Sequence, residues 1–203
     1  MKTQMHLATL SLLIISASFI FPSGQALAFS GPISGTTTWS GIVELTGDVW
    51  VTSTGTLTIL SGTTVKSSPN VDDQIHGRHT SRIEIIVEPG GTLMAEGTSS
   101  NHILFTSRRS EPKQSGDWYG LRVQSNNVTL RYCDIDYGKD AIRVERGVPL
   151  IQNCSFTMNE FSGVTFAVSG SLSNCTMSAN IGWGIVFEES PTVTITSSSI
   201  TNN

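Results

Sequence analysis

The sequence predicts an all-β chain wound as a right-handed parallel β-helix, a solenoid of about eight coils of about 21 residues each. Three observations predict it. Only 14 % of the residues are charged, while Gly, Thr, Ser, Val and Ile are abundant. No window carries an apolar period of 3.6 residues, so β-branched residues and turn formers read as strands separated by turns. A short motif also recurs at a spacing of 21 or 22 residues over the second half of the chain.

The chain opens with Lys2 and His6, a mostly apolar run from Leu7 to Phe21, and then Ala26-Leu27-Ala28. This order describes a secretory signal over residues 1–28 with cleavage before Phe29, and hence a secreted, extracellular or cell-envelope protein. The competing reading is a retained anchor, but a run of about 15 residues falls short of the roughly 20 that span a bilayer. No later stretch is apolar enough to span. Cleavage would leave 175 residues (203 less 28), enough for one β-helix domain over 29–203. It would also remove Lys2, moving the net charge from −4 to about −5. That mild acidity argues against nucleic acid or an anionic membrane as the main partner.

In the amino-terminal half, GTLTILSGTTVKSS (55–68) resembles GTLMAEGTSSNHILFTS (91–107) at an offset of 36. One coil plus an insertion of about 15 residues explains that offset. The insertion is placed at 68–81 and holds Asp72, Asp73, His76, Arg78 and His79. A second polar excursion, 108–117, precedes the regular coils. Phe29 to Gly41 is expected to begin a cap over the first coil, because bare sheet ends recruit other chains.

The regular coils carry the strongest signal. Gly120, Ala141, Gly163 and Gly184 open the segments GLRVQ, AIRVE, GVTFA and GIVFE. Leu121, Ile142, Val164 and Ile185 align, as do Val123, Val144, Phe166 and Phe187; alternation along a strand points both columns inward and the Arg122/Arg143 column outward. A second ladder aligns Leu130, Ile151, Leu172 and Ile195, followed by Cys133, Cys154, Cys175 and Ser198. Asn153 and Asn174 mark a turn, and Asn159, Asn180 and Asn203 form a further column suited to amide pairing between coils. The chain stops at Ile200-Thr201-Asn202-Asn203 in mid-repeat, which predicts a truncated chain, or end-to-end association through an open carboxy-terminal coil.

Together, WSGIVELTGDVWV, GTLTILSGTTVKS, GGTLMAEGT, ILFTS, GDWYGLRV and the repeated Asn-Cys pattern resemble the secreted right-handed β-helix repeat proteins, which include the pectate-lyase-like and NosD-like (CASH-type) families. The resemblance covers about 36–203 and implies the fold. It leaves activity open, since the group holds lyases, hydrolases, adhesins and proteins without a known role.

Each candidate site has a structural alternative. Three Cys spaced 21 and 21 apart fit one inward column of unpaired thiols better than a disulfide with one left over. Asp134, Asp136 and Asp140 offer hard oxygens for Ca²⁺; the resemblance implies that pectate-lyase-like enzymes use such carboxylates with an Arg that helps to abstract a sugar proton, and Arg122, Arg143, Asp134 and Asp136 are the candidates here, with no lyase signature that assigns them roles. Asp134 and Asp136 also pass the spacing test for a glycoside hydrolase pair. The alternative for this whole set, with Glu145, is a solvated face of weak ion pairs. His76 and His79 with Asp72 and Asp73 could ligate a metal, or simply belong to a polar loop. Trp118, Tyr119 and Trp183 precede the anchor glycines, where they could stack on sugar rings or seal the corner. The sequons at Asn127, Asn153 and Asn174 arise largely from the repeat itself. The favoured function is a non-catalytic structural, adhesive or glycan-binding module that engages a cell-surface polymer and needs no cofactor. The alternatives are a polysaccharide lyase or glycoside hydrolase acting on acidic polysaccharides, with Ca²⁺ if a lyase, and, more weakly, a NosD-like accessory to a metalloenzyme.

Overall fold

The computed structural model describes residues 27–203, and every regular element in it is a strand. The expected signal segment lies outside the described residues but for its last two. The chain begins with β1 (Leu27–Ile33), β2 (Thr36–Trp39), β3 (Ile42–Val51), β4 (Thr56–Ile59) and β5 (Thr64–Ser67). It continues with β6 (Glu84–Val87), β7 (Thr92–Glu96), β8 (Ile103–Ser107), β9 (Gly120–Val123), β10 (Val128–Arg131) and β11 (Cys133–Asp136). Then come β12 (Asp140–Val144), β13 (Leu150–Gln152), β14 (Ser155–Thr157), β15 (Ser162–Phe166) and β16 (Gly170–Ser173). The last four are β17 (Thr176–Ser178), β18 (Trp183–Phe187), β19 (Val193–Thr196) and β20 (Ser199–Thr201).

These strands stack into three parallel walls, as the repeat predicts. The back wall is β2, β4, β7, β10, β13, β16 and β19, giving seven rungs against the eight expected. The two loop excursions account for residues that the simple division assigned to coils. The front wall is β6, β9, β12, β15 and β18, and the side wall is β5, β8, β11, β14, β17 and β20. Strand β3 joins these two walls, because Ile42–Leu45 pair with β5 while Val49–Val51 pair with β6. The segment expected to begin a cap is instead an ordinary first rung. β1 pairs with β3 and β2 with β4, and the Phe29 ring packs edge-on against Trp39 at 5.6 Å.

The inward columns fall in the expected register. Val144 pairs with both Val123 and Phe166, and Phe166 with Phe187; Val123, Val144 and Phe166 are fully buried. The three cysteines are free and buried. Each thiol donates to a main-chain carbonyl, Cys154 Sγ to Gln152 O at 3.1 Å and Cys175 Sγ to Ser173 O at 3.2 Å. Hydrogen bonding to the neighbouring thiol, together with burial, raises Cys154 and Cys175 well above the usual thiol range.

Each coil turns three corners, and in the later coils two of them place non-glycine residues in left-handed backbone at a repeating position. At the back–side corner the residues are Tyr132, Asn153, Asn174 and Ser197; at the side–front corner they are Tyr137, Met158, Ala179 and Asn202. The predicted asparagine column follows the second corner. Asn159 Nδ2 donates to Asn180 Oδ1 at 2.9 Å, and Asn180 Nδ2 to Asn203 Oδ1 at 2.7 Å. The backbone N–H groups of Asn159 and Asn180 bond to the same two oxygens, so the ladder satisfies polar groups that the corner would otherwise strand in the interior.

Candidate functional site

The outer surface of the front wall concentrates the charge. Trp50, Ile86, Arg122, Arg143, Thr165 and Val186 form one outward column, each in register with the next. This column is not the solvated face that alternation alone suggests. Arg122 is only 9 % exposed, and Thr165 is fully buried.

The guanidinium groups are held by glutamates from neighbouring coils. Arg122 Nη1 lies 2.8 Å from Glu84 Oε2, and its Nη2 2.9 Å from Glu145 Oε2. Arg143 Nε donates to Glu145 Oε1 at 3.1 Å, while its Nη1 and Nη2 reach Glu188 at 2.9 and 2.5 Å. Gln124 and Arg78 add further bonds to Glu145, both at 2.8 Å. Burial alone would raise the Glu145 carboxyl; the bonds from Arg122 and Gln124 and the charges of Arg122 and Arg78 outweigh it and bring it to about 2. The result is an alternating ladder, Glu84–Arg122–Glu145–Arg143–Glu188, running along the stack axis. Charge-assisted, two-pronged contacts of this kind fix geometry well. They also occupy the donors that a bound sugar acid would need.

Sequence reasoning found Arg122, Arg143 and Glu145 and placed Arg78 on the inserted loop, but missed Glu84 and Glu188. Glu84 lies 38 residues before Arg122, on the far side of the second polar excursion, where no period links them.

The aspartates do not join the arginines. Asp134 and Asp136 stand on the side wall. Asp134 takes both its close contacts from His102 Nδ1, each at 3.1 Å. Burial raises Asp136 to about 6, against the lowering effects of Thr106 and Lys113, and its Oδ1 is buried without a partner. Asp140 sits inside the corner, accepting from Ser162 Oγ at 2.6 Å, and burial raises its carboxyl despite that bond and the Lys139 and Arg143 charges. Among the described residues no three of His, Cys, Asp and Glu come together as a metal-holding group. The expected Ca²⁺ set divides between the side wall, with Asp134 and Asp136, and the corner, with Asp140, while Asp72, Asp73, His76 and His79 are bonded within the inserted segment and to the body beside it.

The three aromatic candidates separate as well. Trp118 is fully buried, its indole N–H donating to Asp136 O at 2.8 Å. Tyr119 is buried too, with Lys139 Nζ 5.0 Å from its ring centroid. These two seal the corner and are corrected as sugar platforms. Trp183 is 61 % exposed; it is in register with the buried Ser162 and lies on the last described rung. A concave groove on the last described rung is lined by Trp183, Ile185, Phe187, Ile195, Ile200 and Asn203.

Two family descriptions match the chain: a pectate-lyase-like beta helix domain over residues 32–139, and a right-handed beta helix region over 113–203. No curated protein and no solved structure matches it.

Proposed function

The chain belongs to the pectate-lyase-like β-helix family, and on that premise we propose that this domain is a non-catalytic exported module that binds a glycan surface through the corner carrying Trp183. One observation supports it most directly: Arg122 and Arg143 are engaged by Glu84, Glu145 and Glu188 within the fold, so neither guanidinium is left to polarise or deprotonate a substrate. Trp183, on the last described rung, carries the indole whose flat apolar face is suited to stacking on a sugar ring.

Two measurements test this. Incubation with acidic polysaccharides and Ca²⁺ is expected to release no unsaturated product absorbing in the ultraviolet. Release that disappears in Arg143→Ala would establish a lyase instead. On a glycan array, Trp183→Ala is expected to abolish the strongest signals without altering the fold, and full retention of binding would remove Trp183 from the site.

A further inference from the structure

Charge is spread unevenly along the stack, and the unevenness bears on what the Trp183 corner can hold. Every Lys, Arg and His of the chain lies at or before Arg146. Residues 147–203, which include β13 to β20, hold none, and their only acids are Glu160, Glu188 and Glu189. Two of these acids are already matched: Glu160 pairs with Arg82, and Glu188 takes Arg143 Nη1 and Nη2 at 2.9 and 2.5 Å. Glu189 is exposed and makes no ion pair among the described residues.

The nearest cations are committed elsewhere or lie too far back. Arg143 has all three guanidinium nitrogens bonded to Glu145 and Glu188. The Lys139 ammonium lies 5.0 Å from the Tyr119 ring centroid and 6.0 Å from that of Phe161, on coils that precede β18. Arg146 follows β12, two rungs before β18 in the front wall. Two rungs are about 10 Å, beyond the screening length of about 8 Å at physiological ionic strength.

What surrounds Trp183 is uncharged. The groove on its rung is lined by Ile185, Phe187, Ile195 and Ile200, and its polar side chains are the amides of Asn202 and Asn203. On the adjoining side wall the outward side chains of β14, β17 and β20 are hydroxyls in register, Ser155, Thr176 and Ser199 in one column and Thr157, Ser178 and Thr201 in the next.

Resting on the reading of Trp183 as a glycan platform, we propose that the polysaccharide held there is a neutral one. A carboxylate or sulfate entering the groove would leave water with no cation to meet it, and would face Glu188 and Glu189. A polymer of amino sugars would find a single uncommitted carboxylate, Glu189. A neutral sugar loses neither kind of partner, since its C–H face packs on the indole and its hydroxyls bond the Asn202 amide.

The test is a glycan array of neutral, acidic and amino oligosaccharides probed with the whole chain at about 0.15 M salt. A chelator is included so that no divalent cation bridges carboxylates. Neutral glycans are expected to give the strongest signals, and Trp183→Ala to lower those signals about tenfold. Acidic or amino glycans that match or exceed the neutral ones, with signals lost in Trp183→Ala, overturn this inference and leave the platform standing. No signal from any class, or a neutral signal that Trp183→Ala leaves intact, overturns the platform reading and this inference with it. A second variant isolates charge as the cause. Glu189→Lys replaces an exposed side chain, and is expected to retain neutral binding and to bring acidic glycans above background. A folded Glu189→Lys protein that gains no acidic binding also overturns the proposal.

Discussion

The carboxy-terminal coils, from β9 onward, and the amino-terminal coils, up to β8, stack in the same way but secure themselves differently. In the later coils each corner supplies its own polar partners. Asn159, Asn180 and Asn203 bond to one another and to the turning main chain, so every coil carries the means of joining the next. The earlier coils have no such column. Their outer surface is secured by two loops: the 68–82 segment held by Asp48 and Glu84, and the 108–117 loop, where Arg109 and, from β8, Ser107 converge on the buried Asp117. The difference teaches that a solenoid can be held either by repetition or by inserted chain. Only the first leaves a period to read.

The comparison can be broken at its strongest point by emptying the shared interior. Phe166→Ala should cost about 3–5 kcal/mol, read as a lower urea midpoint, because Phe166 is fully buried between Val144 and Phe187. Next comes the junction of the ladder and the 68–82 segment. Glu84→Ala leaves Arg122 without one partner and the Arg78 and His79 N–H groups without an acceptor, so about 2–3 kcal/mol is expected. A loss well below 1 kcal/mol would mean that the inserted chain is not what secures the amino-terminal half.

The pH dependence of the melting temperature sharpens the contrast further. Glu145, lowered to about 2, contributes stability that is present above 4.5 and lost as pH falls through about 2. Asp48 and Asp136, both raised to about 6, contribute below 3.8 and lose that contribution as pH rises through about 6. Stability is therefore expected to peak in acid, near pH 4, and a melting temperature that climbs steadily from pH 5 to 8 would contradict it. The smallest effect belongs to the thiols. Cys133, Cys154 and Cys175 should not react with a disulfide reagent in the folded protein, and all three should react in denaturant.

What the sequence disclosed follows the same division. Val123, Val144 and Phe166 were legible because one coil cannot shield them, so each coil must repeat them. Asn153 and Asn174 were legible because asparagine tolerates left-handed backbone. Tyr137, Met158 and Ala179 adopt the same conformation at the other corner without any such preference, imposed by the stacking of their neighbours. The partnership of Arg122 with Glu84 left no trace, because inserted segments set its spacing. The aromatics show a further limit. Trp118 and Trp183 both lie just before an anchor glycine, yet one bonds to Asp136 O inside a corner and the other is exposed on the last described front strand.

The reach of Arg143 has a consequence for how such a chain can change in length. Its guanidinium passes over the β15 coil and closes on Glu188, beside β18. A solenoid built only of nearest-neighbour contacts could gain or lose single turns, but duplicating one turn here would move the counter-ion roughly 4.8 Å out of reach. Along this wall the smallest exchangeable module is a pair of turns, a constraint that the interior columns do not impose.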